Sequence, residues 1–258
     1  MQVRDLDIAY EEHGSGRPLL FIAGLTATRY HWLGFDRRFA DAHRVITFDN
    51  RGVGETTVTR APYSTVQMAE DALGLLDALG IDQADIVGTS MGGMIAQELA
   101  LLAPDRVRRL VLVCTHPGGA EHVPPPPEVN AIFAARRGAE RTIRELMTVN
   151  LSAAFRERRP DVVEAMVAHG LAHRMEPFGF VGQVGAIASH DVLARLPNVT
   201  APTLVVHGDA DDLVPLHNGR LIASRIPGAR LAVLPGAGHM LWAEMPDEAE
   251  ALIREHLA

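Results

Sequence analysis

The sequence predicts an α/β fold, a mostly parallel twisted sheet with helices on both faces. Three observations carry that prediction. Short runs rich in Val, Ile and Leu alternate with longer segments whose apolar residues recur every three to four positions. That is the pattern of strands buried on both faces and of the helices that cover them. Helix-breaking residues stand at the junctions, Gly80 after one helical stretch and Pro104 after the next. A chain of 258 residues, 47% hydrophobic, is also long enough for one sizeable core without a second full domain.

Taken in order, 3–11 and 18–23 read as strands, the second running into a loop at Gly24. A strand at 44–48 ends in a turn at Asp49. A helix is predicted over 65–79, because Met68, Ala72, Leu75, Leu76 and Leu79 share one face and Gly80 ends it. Strand 84–88, helix 91–103 and strand 108–114 repeat the theme, with Pro104 stopping the helix. From 115 to 200 the rhythm stops. Pro124, Pro125, Pro126 and Pro127 form a stiff lead-in to a helical block. Within that block Ile143, Leu146 and Met147 make one apolar stripe, and Val162, Val163, Met166 and Val167 make a second. The predicted organisation is a core of 1–115 and 200–258 with a helical cap, 116–199, inserted above the sheet. Strands at 203–207 and 231–234 complete the core.

The chemistry starts at Ser90, centred in Gly88-Thr89-Ser90-Met91-Gly92 between an apolar strand and a helix. In that context a Gly-x-Ser-x-Gly segment forms a nucleophile elbow, a strained turn that lifts the hydroxyl above the sheet. A serine hydroxyl is a weak nucleophile near neutral pH and needs a base, itself oriented by a third group. Both are on offer downstream. The strand 203–207 breaks into an acidic turn with Asp209, Asp211 and Asp212, and the strand 231–234 ends in a glycine-rich loop carrying His239. Ligands of such sheets bind beyond the carboxyl ends of the strands, where all three groups fall.

With these motifs the chain resembles the α/β-hydrolase fold family over nearly its whole length. The order serine, aspartate, histidine is the family's order. The resemblance implies Asp211 as the acid, since Gly208 stands three before it and Pro215 four after. Asp49-Asn50-Arg51-Gly52-Val53-Gly54-Glu55-Thr56 is similar to the family's Asp-x-Arg-Gly-x-Gly-x-Ser turn, with Thr56 in the serine's place. Gly238-His239 followed by Trp242, Glu244 and Pro246 is similar to its histidine loop. Within the family the chain looks nearest to bacterial enol-lactonase-type and ester hydrolases. The implied oxyanion hole comprises the backbone N–H groups of Leu25 and Met91. Many relatives have His-Gly where this chain has Ala23-Gly24, which removes one prop from that loop.

The activity implied is that of a serine esterase or lactonase acting through an acyl-enzyme. Carbon–carbon hydrolysis of a diketone would use the same triad, and a non-hydrolytic receptor, lyase or cyclase on this fold is the third reading. His31, Trp32, Met175, Phe178 and Phe180 are the candidate substrate-lining residues. No cofactor and no metal is expected. His169 and His173 have the spacing of a helical metal pair, but no third ligand accompanies them, and a surface pair is the expectation. The lone Cys114, at a strand end, is expected to be a small buried hydrophobe.

Composition narrows the rest. All 24 basic residues are arginine, so Schiff-base catalysis by lysine is excluded. A net charge of -8 disfavours nucleic acid and anionic membranes. No apolar run approaches the roughly 18 residues of a membrane span, and the first residues lack a secretory pattern. The expectation is a cytoplasmic protein, monomer or homodimer, acting on a small molecule.

Overall fold

The computed structural model describes residues 1–60, 62–134, 138–173 and 175–258. The chain opens with β1 (Gln2–Val3), β2 (Leu6–Asp7) and β3 (Tyr10–His13), followed by β4 (Arg17–Ile22) and β5 (His43–Phe48). Next come α1 (Thr65–Ala78), β6 (Ala84–Thr89), α2 (Met91–Leu102) and β7 (Val107–Val113). A strand-free interval holds α3 (Pro127–Ala134), α4 (Ala139–Asn150), α5 (Ala153–Arg158), α6 (Pro160–Ala172) and α7 (Pro177–Ala188). The chain ends with β8 (Thr203–Gly208), α8 (Leu216–Arg225), β9 (Arg230–Leu234), α9 (Leu241–Glu244) and α10 (Pro246–Leu257).

The main sheet runs β3-β5-β4-β6-β7-β8-β9, parallel throughout except for β3, which pairs antiparallel with β5. Side chains alternate across it, as a two-residue period requires. Leu20, Ile22, Ile86 and Leu112 face one apolar cluster, which Met68 and Leu75 of α1 and Ile95 and Leu99 of α2 complete. Leu19, Phe21, Val87 and Val113 face the other, closed by Trp32, Phe39, Trp242 and Ile253. Burying a side chain of this size contributes roughly 1.5–3 kcal/mol, so the two-sided burial is what holds the strand ends in place.

Most elements lie where the sequence predicts them. Ser64 caps α1, its Oγ accepting the Gln67 N–H at 3.1 Å, and Gly80 follows with φ +68°. The segment 3–11 is a correction. It forms a two-stranded hairpin, β1 with β2, and then the separate edge strand β3. Arg4 at φ +54° makes the turn, and Val3, Leu6 and Ile8 are buried on the α1 side. A single strand would need an unbroken alternation, and the reversal at Arg4 breaks it. Among the described residues no helix is long and apolar enough to cross a membrane.

Candidate active site

Ser90 joins β6 to α2 with φ +54° and ψ −123°, a conformation that L residues rarely adopt. Such strain costs roughly 1–3 kcal/mol and persists only where the surroundings enforce it. They do so here. The Ser90 N–H donates to Val113 O at 2.9 Å, and Ser90 O accepts from Gly93 N at 2.9 Å and Thr115 Oγ1 at 2.7 Å. The flanking glycines are steric necessities. A Cβ at Gly88 would lie 2.4 Å from Gly92 O, and one at Gly92 would lie 2.0 Å from Ile22 O.

Asp211 follows β8 and His239 follows β9, so both sit at strand ends on the same edge as Ser90. Asp211 Oδ2 lies 2.8 Å from His239 Nδ1, while its Oδ1 accepts the Leu213 and Val214 amides at 2.9 and 2.8 Å. A carboxylate only accepts, so Nδ1–H is the donor in this pair, and in the neutral ring Nε2 keeps its lone pair. Asp209 serves elsewhere, taking the Gly236 N–H at 2.6 Å on the exposed side of the turn. Both Asp211 and His239 are buried. The Ser90 hydroxyl makes no hydrogen bond among the described residues. Such contacts are often loose before substrate arrives.

Behind the acid, His207 donates from Nε2 to Val214 O at 2.8 Å, and that nitrogen stands 3.6 Å from Asp211 Oδ2. Burial holds the His207 pKa below the ordinary imidazole value. Cys114 lies against the same carboxylate, and burial pushes its thiol well above the usual range, with Asp211 adding to the effect. The ligand atoms of Cys114, His207 and Asp211 fall within 4.8 Å of one another. His207 Nε2 is committed to Val214 O and the Asp211 oxygens to Leu213, Val214 and His239, whereas the buried His207 Nδ1 has no partner among the described residues. A protonated thiol is a poor metal ligand. Together they form a buried wall behind the acid.

The loop after β4 passes directly beside Ser90. A Cβ on Gly24 would lie 3.2 Å from the Ser90 Cβ. The Leu25 N–H finds no acceptor among the described residues, and Met91, as the first residue of α2, has none within its helix. Two free amides therefore lie next to Ser90 in sequence or space. Asn50 Nδ2 donates to Ala23 O at 2.9 Å, giving this loop a side-chain support. Asn50 belongs to the Asp49 turn, which is itself anchored. Asp49 accepts from the Arg29 N–H and guanidinium, each at 2.6 Å, and Arg51 grips Asp71 at 2.5 and 2.7 Å.

Of the candidate lining residues, His31 and Trp32 join this cluster. The His31 ring stands edge-on to Trp242 at 5.0 Å and Trp32 packs on Trp242 at 5.4 Å. Burial, with His239 and His169 nearby, pushes the His31 pKa down to about 3, so the ring is neutral. His169 and His173 stack on each other at 4.1 Å, at the end of α6. Phe178 is 55% exposed and lies under the Arg60 guanidinium at 5.1 Å. The buried face of α7 is built instead from Gly179, Gly182, Gln183 and Ala186, so Phe178 points away from the core. Met175 and Phe180 are half-buried beside it. Sequence reasoning missed Asn50, Gln183 and Glu244. Asn50 lies in the Asp49 turn motif and Glu244 in the histidine-loop motif, though neither was assigned a contact there; Gln183 gave no local signal.

Comparison with known proteins finds hydrolases of the same fold. RutD of Azorhizobium caulinodans, named as a carbamate hydrolase, is 31% identical over 243 residues, covering 94% of this chain and 92% of that protein. Among solved structures, Est816, described as an N-acyl homoserine lactone degrading enzyme, is 31% identical. It superposes with a TM-score of 0.83 and covers 98% of both chains. The enol-lactonase of Burkholderia xenovorans is 26% identical with a TM-score of 0.88, over 99% of this chain and 98% of that one. The family model for the alpha/beta hydrolase fold matches residues 17–245, and the chain accordingly belongs to the α/β-hydrolase fold family.

Proposed function

We propose that this protein is a serine hydrolase that cleaves a small or medium carboxylic ester or lactone through an acyl-enzyme. The observation that carries the reading is the Asp211 Oδ2 to His239 Nδ1 bond of 2.8 Å, on the strand edge that also holds the strained Ser90. His239 Nε2 takes the Ser90 hydroxyl proton as Oγ attacks the carbonyl carbon, and Asp211 stabilises the imidazolium. The Leu25 and Met91 N–H groups donate to the developing oxyanion. Collapse expels the alcohol, which takes the proton from His239. Water, deprotonated by His239, then attacks the acyl carbon and frees the acid and Ser90. In a lactone the alcohol stays attached to the acid. Two solved neighbours carry lactone cleavage in their descriptions, which supports including cyclic esters.

In this reading the insert, 116–199, is a cap that shapes the pocket and keeps water out, and His31 and Trp32 line the pocket wall. Fluorophosphonate labelling combined with turnover of a short p-nitrophenyl ester tests it. Wild type should label and turn over, and Ser90→Ala should do neither. A wild-type protein inert to the probe and to ester, lactone and diketone panels would sink it.

A further inference from the structure

Gln183 is fully buried on α7, yet it is polar at a position where packing alone favours leucine or methionine. Both ends of its carboxamide are used. Oε1 accepts the Thr26 N–H at 2.9 Å, and Nε2 donates to Arg51 O at 3.0 Å. The orientation is fixed, since a flipped amide would set donor against donor and acceptor against acceptor. Thr26 closes the turn that begins at Gly24, with Ala27 N donating to Gly24 O at 3.3 Å, and its φ is +62°. A β-branched residue resists that left-handed conformation and needs an outside hold.

The peptide carrying the Leu25 N–H is thereby pinned from both sides, by Asn50 at Ala23 O and by Gln183 at Thr26 N. The Gln183 hold comes from a helix more than 150 residues away, seated without slack on the turn after β5. A Cβ at Gly179 would lie 1.9 Å from Gly52 O, and one at Gly182 would lie 2.5 Å from the Tyr63 ring. We propose that Gln183 is a positioning residue for the oxyanion loop: α7 reaches back through it to hold Thr26 and so aims the Leu25 N–H at the reacting carbonyl oxygen. The proposal rests on the serine-hydrolase reading above.

Gln183→Met fills the slot without either hydrogen bond, and Gln183→Asn keeps the amide but is too short to span Thr26 and Arg51. Both are compared with wild type on a p-nitrophenyl ester, with folding checked by circular dichroism. The expected result is kcat lower by about 10- to 100-fold, somewhat less than loss of a whole oxyanion donor, with KM within threefold. The inhibition constant of phenylboronic acid, whose serine adduct places an oxygen in the same hole, should rise in step with the fall in kcat. Adding Thr26→Gly should restore part of the lost kcat, because glycine holds φ +62° unaided. If Gln183→Met fails to fold, Gln183→Asn carries the test. Folded variants that keep kcat and boronate affinity within threefold of an active wild type overturn the proposal alone. A wild type that neither labels nor turns over overturns the hydrolase reading and this proposal together.

Discussion

Glu244 holds the Gly238 amide at 3.1 Å, one residue before His239. The same buried carboxylate takes the Ser152 N–H at 2.9 Å and the Ser152 hydroxyl at 2.5 Å, at the start of α5. Gly238 fits because it has no side chain: a Cβ there would lie 2.7 Å from both Glu244 Oε1 and Ser152 N. One acidic side chain thus ties the insert to the loop that carries the candidate base.

Replacing Glu244 by Gln puts an NH2 against either the Ser152 hydroxyl or the two backbone N–H groups of Ser152 and Gly238. At least one buried donor then loses its acceptor, at about 1–3 kcal/mol. Thermal unfolding should show a lower Tm, and steady-state kinetics should show kcat reduced about tenfold, equivalent to roughly 1.4 kcal/mol. Ser152→Ala removes only the hydroxyl and its cap contact, and should cost about 1 kcal/mol of stability. Unchanged Tm in both variants would show that the tie contributes nothing.

The two aspartates of the acid turn should separate cleanly. Asp211→Asn leaves the histidine without a carboxylate to fix its tautomer, and kcat should fall by about 10⁴. Asp209→Asn disturbs only the Gly236 amide contact on the exposed side and should stay within a few-fold of wild type. Comparable losses from the two substitutions would undo the assignment of the acid.

Stability should fall on acidification, for a reason outside the candidate site. Burial, helped by a neighbouring imidazole, pushes His190 down to about 3 and His116 down to about 4. The unfolded chain titrates near 6.5. Between those limits it binds more protons than the folded chain, so stability rises with pH across the window and drains away as pH falls. Each such group adds up to about 1.4 kcal/mol per pH unit. Urea midpoints between about pH 7 and about pH 5 should show the slope, and His190→Asn should make it shallower. An identical slope in that variant would assign the effect to other groups.

Gly92→Ala tests the elbow as a packing object. The added methyl meets the Ile22 carbonyl at 2.0 Å, backbone against backbone, and nothing flexible can give way. Overpacking of this kind should cost about 3 kcal/mol or more, read as a lowered denaturant midpoint or loss of folded protein. A variant as stable as wild type would mean that α2 sits farther from β4 than the structure places it.

Local patterns made much of this molecule legible in advance. Ser90, Asp211 and His239 each stand at a strand end marked by glycine or an acidic cluster, and the loop at Gly24 follows an apolar strand. Gln183 could not be read that way, since its partners Thr26 and Arg51 are 157 and 132 residues distant and in the sequence it is one more polar residue on a helix. Glu244 stands in the histidine-loop motif, but its tie to Ser152, 92 residues away, leaves no local mark. The setting of Phe178 shows the same limit of local pattern. Apolar residues on α7 suggest a packing face, but the face that packs is the small one, Gly179 and Gly182, and the large side chains are left outside. The hairpin at the start was hidden because Arg4 and Asp5 are unremarkable turn formers.

The grip of the insert on the core is uneven, and that sets where the protein is free to change. Helix α4 buries no residue, whereas α7 meets the core backbone to backbone at Gly179 and Gly52. Substitutions at the exposed positions of α4, Arg141, Arg144 and Thr148, can accumulate at little cost in folding. The α7 seam at Gly179 and Gly182 admits almost none, so a lineage drifting in sequence would inherit that seam unaltered.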